Sequence, residues 1–74
     1  MAQNVMTGNL GERIRQARIA AGYTTEGLAR VLDVSTRTVA GWQADRSKPS
    51  YERLARLAGV LEKPVSYFLD EAAA

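Results

Sequence analysis

The side chains best equipped for chemistry are Ser35, Ser47, Ser50 and Ser66, eight arginines, two lysines and the neighbouring Asp70 and Glu71. The chain has no cysteine and no histidine. No imidazole is therefore present to activate a serine, no thiolate or imidazole to bind zinc, and no disulfide can form. Asp70 and Glu71 lie in a terminal segment, where a catalytic geometry is hard to hold. These absences argue against an enzyme, a metal site and a bound cofactor. Arginine remains. Its planar guanidinium matches phosphate and guanine through paired hydrogen bonds, and eight of the ten basic residues are of this type. The net charge is only +2, so placement, not total charge, must decide whether the arginines meet a polyanion.

Positioning those side chains falls to a chain of 74 residues. That is one small domain, able to hide only about 60% of the surface its unfolded form exposes. Binding to something larger is favoured over enclosing a substrate. The longest apolar runs, such as Leu57 to Leu61, are too short to span a membrane, and the first nine residues lack the basic start and apolar stretch of a leader. The expected location is the cytoplasm.

Punctuation along the chain predicts five short helices and no strand, an all-α fold. Residues 1–8 read as a mobile arm. Asn9 and Glu12 have capping-box spacing, Leu10, Ile14, Ala17 and Ala21 recur on one stripe, and Gly22 suits the residue after a helix. Thr24 caps a second helix, with Leu28, Ala29 and Leu32 facing inward. Asp33 and Val34 leave a tight connection before Ser35 caps a third helix, which runs to about Gln43 with Val39 and Trp42 toward the core. Residues 44–49 form a polar loop. Ser50 caps a fourth helix carrying Leu54, Leu57, Ala58 and Leu61, and Pro64 opens a last helix with Val65, Phe68 and Leu69. The domain spans 9–69, with 70–74 as a tail. Its expected core is Ile14, Leu28, Ala29, Val39, Trp42, Leu54, Leu57 and Phe68.

Two helices joined by so few residues, with small Ala29 where they cross, must pack steeply and leave one face of the second exposed. At this point the chain resembles the helix-turn-helix family of phage repressors and Cro proteins (XRE-type). The resemblance covers roughly residues 10–69. It is carried by the Leu-Gly-Glu-Arg-Ile-Arg opening, Arg18 before Gly22, Leu28-Ala29, Val34-Ser35, Thr38-Val39, Trp42, Lys48-Pro49-Ser50 and the Val65 to Leu69 segment. It implies a compact five-helix, lambda-repressor-like domain that sets its third helix in the major groove of double-stranded DNA.

On that helix Trp42 shares the buried side with Val39, which favours core over base stacking. The opposite stripe is Thr36, Arg37, Ala40, Gly41 and Ala44. Arg37 is its only long side chain and the first choice for reading guanine; gripping a phosphate is an equal alternative. Thr36 and Ala40 suit thymine methyls, and Gly41 removes bulk near DNA or is filler. Phosphate contacts are expected from Arg46 and Lys48, from the start of helix 2 at Thr24 and Thr25, and from Ser35. Arg53 and Arg56 are weaker candidates, since Glu52 can pair with Arg56. Arg13, Arg15 and Arg30 read as solvated surface. Ile19 and Val31 are single exposed apolar residues.

The chain departs from the family's pattern at four positions. Thr25 stands where glutamine is common, and Asp33 and Asp45 replace turn glycines. Gln43 replaces a glutamate that pairs with the arginine matching Arg18. A buried Arg18 then keeps a hydrogen bond and loses its counter-charge, which favours partial exposure or a carbonyl partner. The resemblance implies a sequence-specific transcriptional regulator, a phage or bacterial repressor. A rival from another class is a protein-interaction module on the same frame, such as an antitoxin or regulatory subunit. Tyr67, Phe68 and Leu69 offer a surface for a homodimer, and a monomer is equally compatible because the core needs the same residues.

Restoring the counter-charge with Gln43→Glu is expected to raise the melting temperature. An unchanged or lower value, read by circular dichroism, would mean that Arg18 is satisfied elsewhere than at position 43.

Overall fold

The computed structural model describes residues 9–69, so the expected arm at 1–8 and tail at 70–74 lie outside the described residues. Five helices follow in order: α1 (Asn9–Ala20), α2 (Thr25–Leu32), α3 (Thr36–Gln43), α4 (Tyr51–Val60) and α5 (Val65–Leu69). None is long and apolar enough to cross a membrane.

Hydroxyl caps start the three middle helices. Thr24, Ser35 and Ser50 have extended backbones, and their side chains accept from the N–H groups of Gly27, Thr38 and Arg53. Each satisfies one of the donors that a helix leaves free at its start and contributes about 1 kcal/mol. The start of α1 differs from the expected capping box. Asn9 is already helical, and Glu12 instead accepts from Gln16 at 2.7 Å and Arg15 at 3.5 Å. The free Gly11 N–H donates to Asp45 Oδ1, 3.1 Å away in the loop after α3.

The ends share one device. After α1, Gly22 takes the left-handed conformation at φ 84°; its N–H reaches Ile19 and that of Tyr23 reaches Arg18. The same paired bonds close α2 around Asp33, α3 around Asp45 and α4 around Glu62, each at positive φ. Only the first uses glycine, so three turns hold conformations that cost a side-chain-bearing residue on the order of 1 kcal/mol. The short aspartates at 33 and 45 bear this most readily.

Twelve hydrophobic residues form one core, and Ile14, Leu28, Ala29, Val39, Trp42, Leu54, Leu57 and Phe68 are all within it. Ala21 is not: α1 ends at Ala20, and Ala21 is exposed while Gly11 is buried. In the middle of the bundle α3 packs on α1 and α2, and α5 closes the far side against α1 and α4. Arg13, expected on the solvated surface, is half-buried. It donates to the Tyr67 carbonyl and lies 5.7 Å from the centre of the Tyr67 ring, so it fastens α5 to α1.

Gly11 lets α1 approach the end of α3. A methyl there would lie 2.5 Å from the Gln43 carbonyl oxygen and 2.7 Å from that of Trp42, both backbone atoms unable to swing aside. Gly11→Ala is expected to destabilise by about 2 kcal/mol and lower the melting temperature by about 10 °C. Gly59→Ala, where a methyl meets nothing within 4 Å, should leave it unchanged or slightly higher. Equal melting of the two variants would refute the close-approach argument.

Candidate nucleic-acid interface

The residues proposed to meet DNA are presented by the second half of the α2–turn–α3 unit. Asp33 N–H bonds the carbonyls of Ala29 and Arg30, and Val34 N–H bonds that of Ala29 at 3.0 Å. The chain thus reverses within a few residues, and Ser35 immediately begins α3. Val39 and Trp42, 0% and 3% exposed, anchor the back of α3. Its front carries Thr36, Arg37 and Ala44, all exposed, and half-buried Ala40.

Gly41 does not belong to that front. It is buried, because the loop after α3 folds over it: the N–H groups of Arg46 and Ser47 both bond the Gly41 carbonyl, at 2.9 and 3.4 Å. The expectation that Gly41 lies open to bases is corrected to a role under that loop. Helical spacing placed it at the edge of the stripe, and only the loop's path decides which edge is covered.

Arg46 and Lys48 are exposed on the same loop, and Thr24 and Ser35 are exposed at the starts of α2 and α3. Thr25 is half-buried and its hydroxyl accepts from Gln43 Nε2 at 3.3 Å. Gln43 in turn receives Arg18 Nε on Oε1 at 2.8 Å, while Arg18 NH1 donates to the Tyr23 carbonyl at 2.7 Å. Arg18 is half-buried and is satisfied by an amide oxygen and a backbone carbonyl, with no carboxylate partner among the described residues. Asp45 turns its carboxylate to the N-terminus of α1, where helix polarity favours a negative charge.

Electrostatic commitments divide the basic residues in two. Arg15 pairs with Glu12, Arg13 and Lys63 flank the Tyr67 ring, and Arg18 is internal. Arg30, Arg37, Arg46, Lys48, Arg53 and Arg56 have no ion-pair or side-chain hydrogen-bond partner among the described residues. The expected Glu52–Arg56 pair does not form among them. All six uncommitted cations fall between α2 and α4. A depression between the starts of α3 and α4 is lined by the cations Lys48 and Arg53, the carboxylate of Asp33, the hydroxyls of Ser35, Thr38 and Ser50, and apolar surface of Val34, Trp42 and Pro49.

The helix-turn-helix family matches residues 14–68. The chain belongs to this family. The helix-turn-helix chain is 33% identical over 63 residues to an uncharacterized transcriptional regulator in the ATPase CF(0) region of Rhodospirillum rubrum, covering 85% of this chain and 58% of that protein. It is 28% identical to the HTH-type transcriptional regulator ImmR of Bacillus subtilis, over 82% of this chain and 48% of ImmR. It is 33% identical to the uncharacterized HTH-type transcriptional regulator YobD of the same organism, over 78% and 52%. The helix-turn-helix chain thus spans about half the length of these curated relatives. No solved structure matches it.

A methyl at Gly41 would meet only the exposed Ser47 Oγ, at 3.1 Å, which can rotate away, and alanine adds about 1 kcal/mol of helix propensity. Gly41→Ala is expected to melt at the same or a slightly higher temperature and to bind duplex DNA as tightly as the unaltered chain. A marked loss of affinity would return Gly41 to the DNA-facing stripe.

Proposed function

We propose that this helix-turn-helix domain is a sequence-specific, double-stranded DNA-binding transcriptional regulator, a bacterial or phage repressor acting in the cytoplasm. The observation that carries the reading is the front of α3: a face held outward by Val39 and Trp42, with Arg37 exposed and without an ion-pair partner among the described residues, and with Arg46 and Lys48 exposed on the loop that follows α3. The naming of its relatives as transcriptional regulators supports it.

In this reading α3 enters the major groove, Arg37 donates two hydrogen bonds to guanine O6 and N7, and Thr36 and Ala40 meet thymine methyls. Arg46, Lys48, Ser35 and the start of α2 at Thr24 and Thr25 contact the phosphates and set the register. Pairing through α5 has little to work with. Phe68 is buried in its own core, Tyr67 is held by Arg13 and Lys63, and Leu69 is 44% exposed. A stable pair needs about 800 Å² from each partner, so the described domain binds a half-site as a monomer.

Binding to duplexes recovered from a random pool, measured at two salt concentrations, tests the reading. Affinity should fall by about 0.9 log unit per log unit of salt for each phosphate neutralised; a flat response would favour the protein-interaction alternative. Arg37→Ala should cost about 1–3 kcal/mol on the selected duplex and little on a mixed-sequence one. A uniform loss on both would make Arg37 a phosphate clamp.

A further inference from the structure

At the junction of α1, α2 and α3 the direction of each hydrogen bond is forced by the group before it. Arg18 can only donate, and its Nε lies 2.8 Å from Gln43 Oε1. The Gln43 amide is therefore held with its oxygen toward α1 and its NH2 group turned away. That NH2 group, itself only a donor, lies 3.3 Å from Thr25 Oγ1, which makes the hydroxyl the acceptor. The hydroxyl keeps its own proton to give elsewhere, and no acceptor takes it among the described residues.

We propose that Gln43 is a positioning residue: by occupying the acceptor side of the Thr25 hydroxyl, it leaves Thr25 as a donor to a DNA phosphate oxygen. The inference rests on the DNA-binding reading above. Thr25 is the first residue of α2, half-buried beside the exposed cap Thr24, so its hydroxyl stands next to the free N–H groups of that helix. A carboxylate at position 43 would reverse the chain of donors. It offers only acceptors: one oxygen would pair with Arg18 and the other would draw the Thr25 proton inward. Glutamine thus gives up the counter-charge of Arg18 and keeps the Thr25 proton available to the ligand. The same substitution is then expected to move stability and DNA affinity in opposite directions.

The test is a double-mutant cycle of Gln43→Glu and Thr25→Val, with Thr25→Ser as the hydroxyl-retaining control. Each is read by thermal unfolding and by binding to a duplex recovered from a random pool at two salt concentrations. Gln43→Glu should melt higher and bind about fivefold more weakly. Thr25→Val should lose a similar factor, Thr25→Ser should stay close to the unaltered chain, and the double variant should bind no more weakly than Thr25→Val. A Gln43→Glu loss that persists in full on the Thr25→Val background would be plain repulsion between the new carboxylate and DNA and would overturn the proposal. Unchanged affinity of Gln43→Glu would overturn it too. If the unaltered chain shows no salt-dependent duplex binding, the DNA reading fails and the positioning role with it. If it binds steeply and only the cycle is additive, the DNA reading stands and the positioning role alone falls.

Discussion

The N-terminus of α1 approaches the C-terminus of α3 closely because Gly11 has no side chain to interpose. The contact brings Gly11 against the Trp42 and Gln43 carbonyls, and Asp45 closes it by accepting from the Gly11 N–H. Helices of two or three turns are unstable alone, so α3 depends on such joints for its orientation. The loop carrying Arg46 and Lys48 begins at Asp45, so the bond that seats α1 also sets where the loop's cations stand.

A second joint does the same work with side chains. Arg18, Gln43 and Thr25 link α1, α3 and α2 in one line of hydrogen bonds, and no polar side-chain atom is left buried without a partner among the described residues. The guanidinium here has no counter-charge among the described residues, yet its donors reach an amide oxygen and the Tyr23 carbonyl. Burial is partial, so the desolvation penalty that makes unpaired buried ions costly is only partly incurred. Three basic residues, Arg13, Arg18 and Lys63, are spent on internal contacts, and the six uncommitted ones lie on the α2–α4 side.

The ends of the helices follow one pattern with different residues. Left-handed turns at Gly22, Asp33, Asp45 and Glu62 each return two N–H groups to the preceding helix. Strain at three of them is tolerated because short connections are what allow five small helices to share a single core. At Asp33 the tightness of the turn also fixes the steep crossing that leaves the front of α3 bare.

Much of this was legible in the sequence. Hydroxyl residues before apolar periodic runs marked the starts of α2, α3 and α4, and three- and four-residue spacing identified the core members, because both signals are local and set by helix geometry. The exposure of Arg37 followed from its place opposite Val39 and Trp42 on α3. Other features depended on segments distant along the chain. The burial of Gly41 depends on where a loop folds, the seating of α1 on a carboxylate 34 residues away, and the anchoring role of Arg13 on a carbonyl 54 residues away. Periodicity carries no information about such partners. Residue types and spacing determined which helices form and which faces are apolar; the tertiary structure decided which polar groups are consumed inside and which remain free to bind, because a hydrogen bond needs both its partners in place.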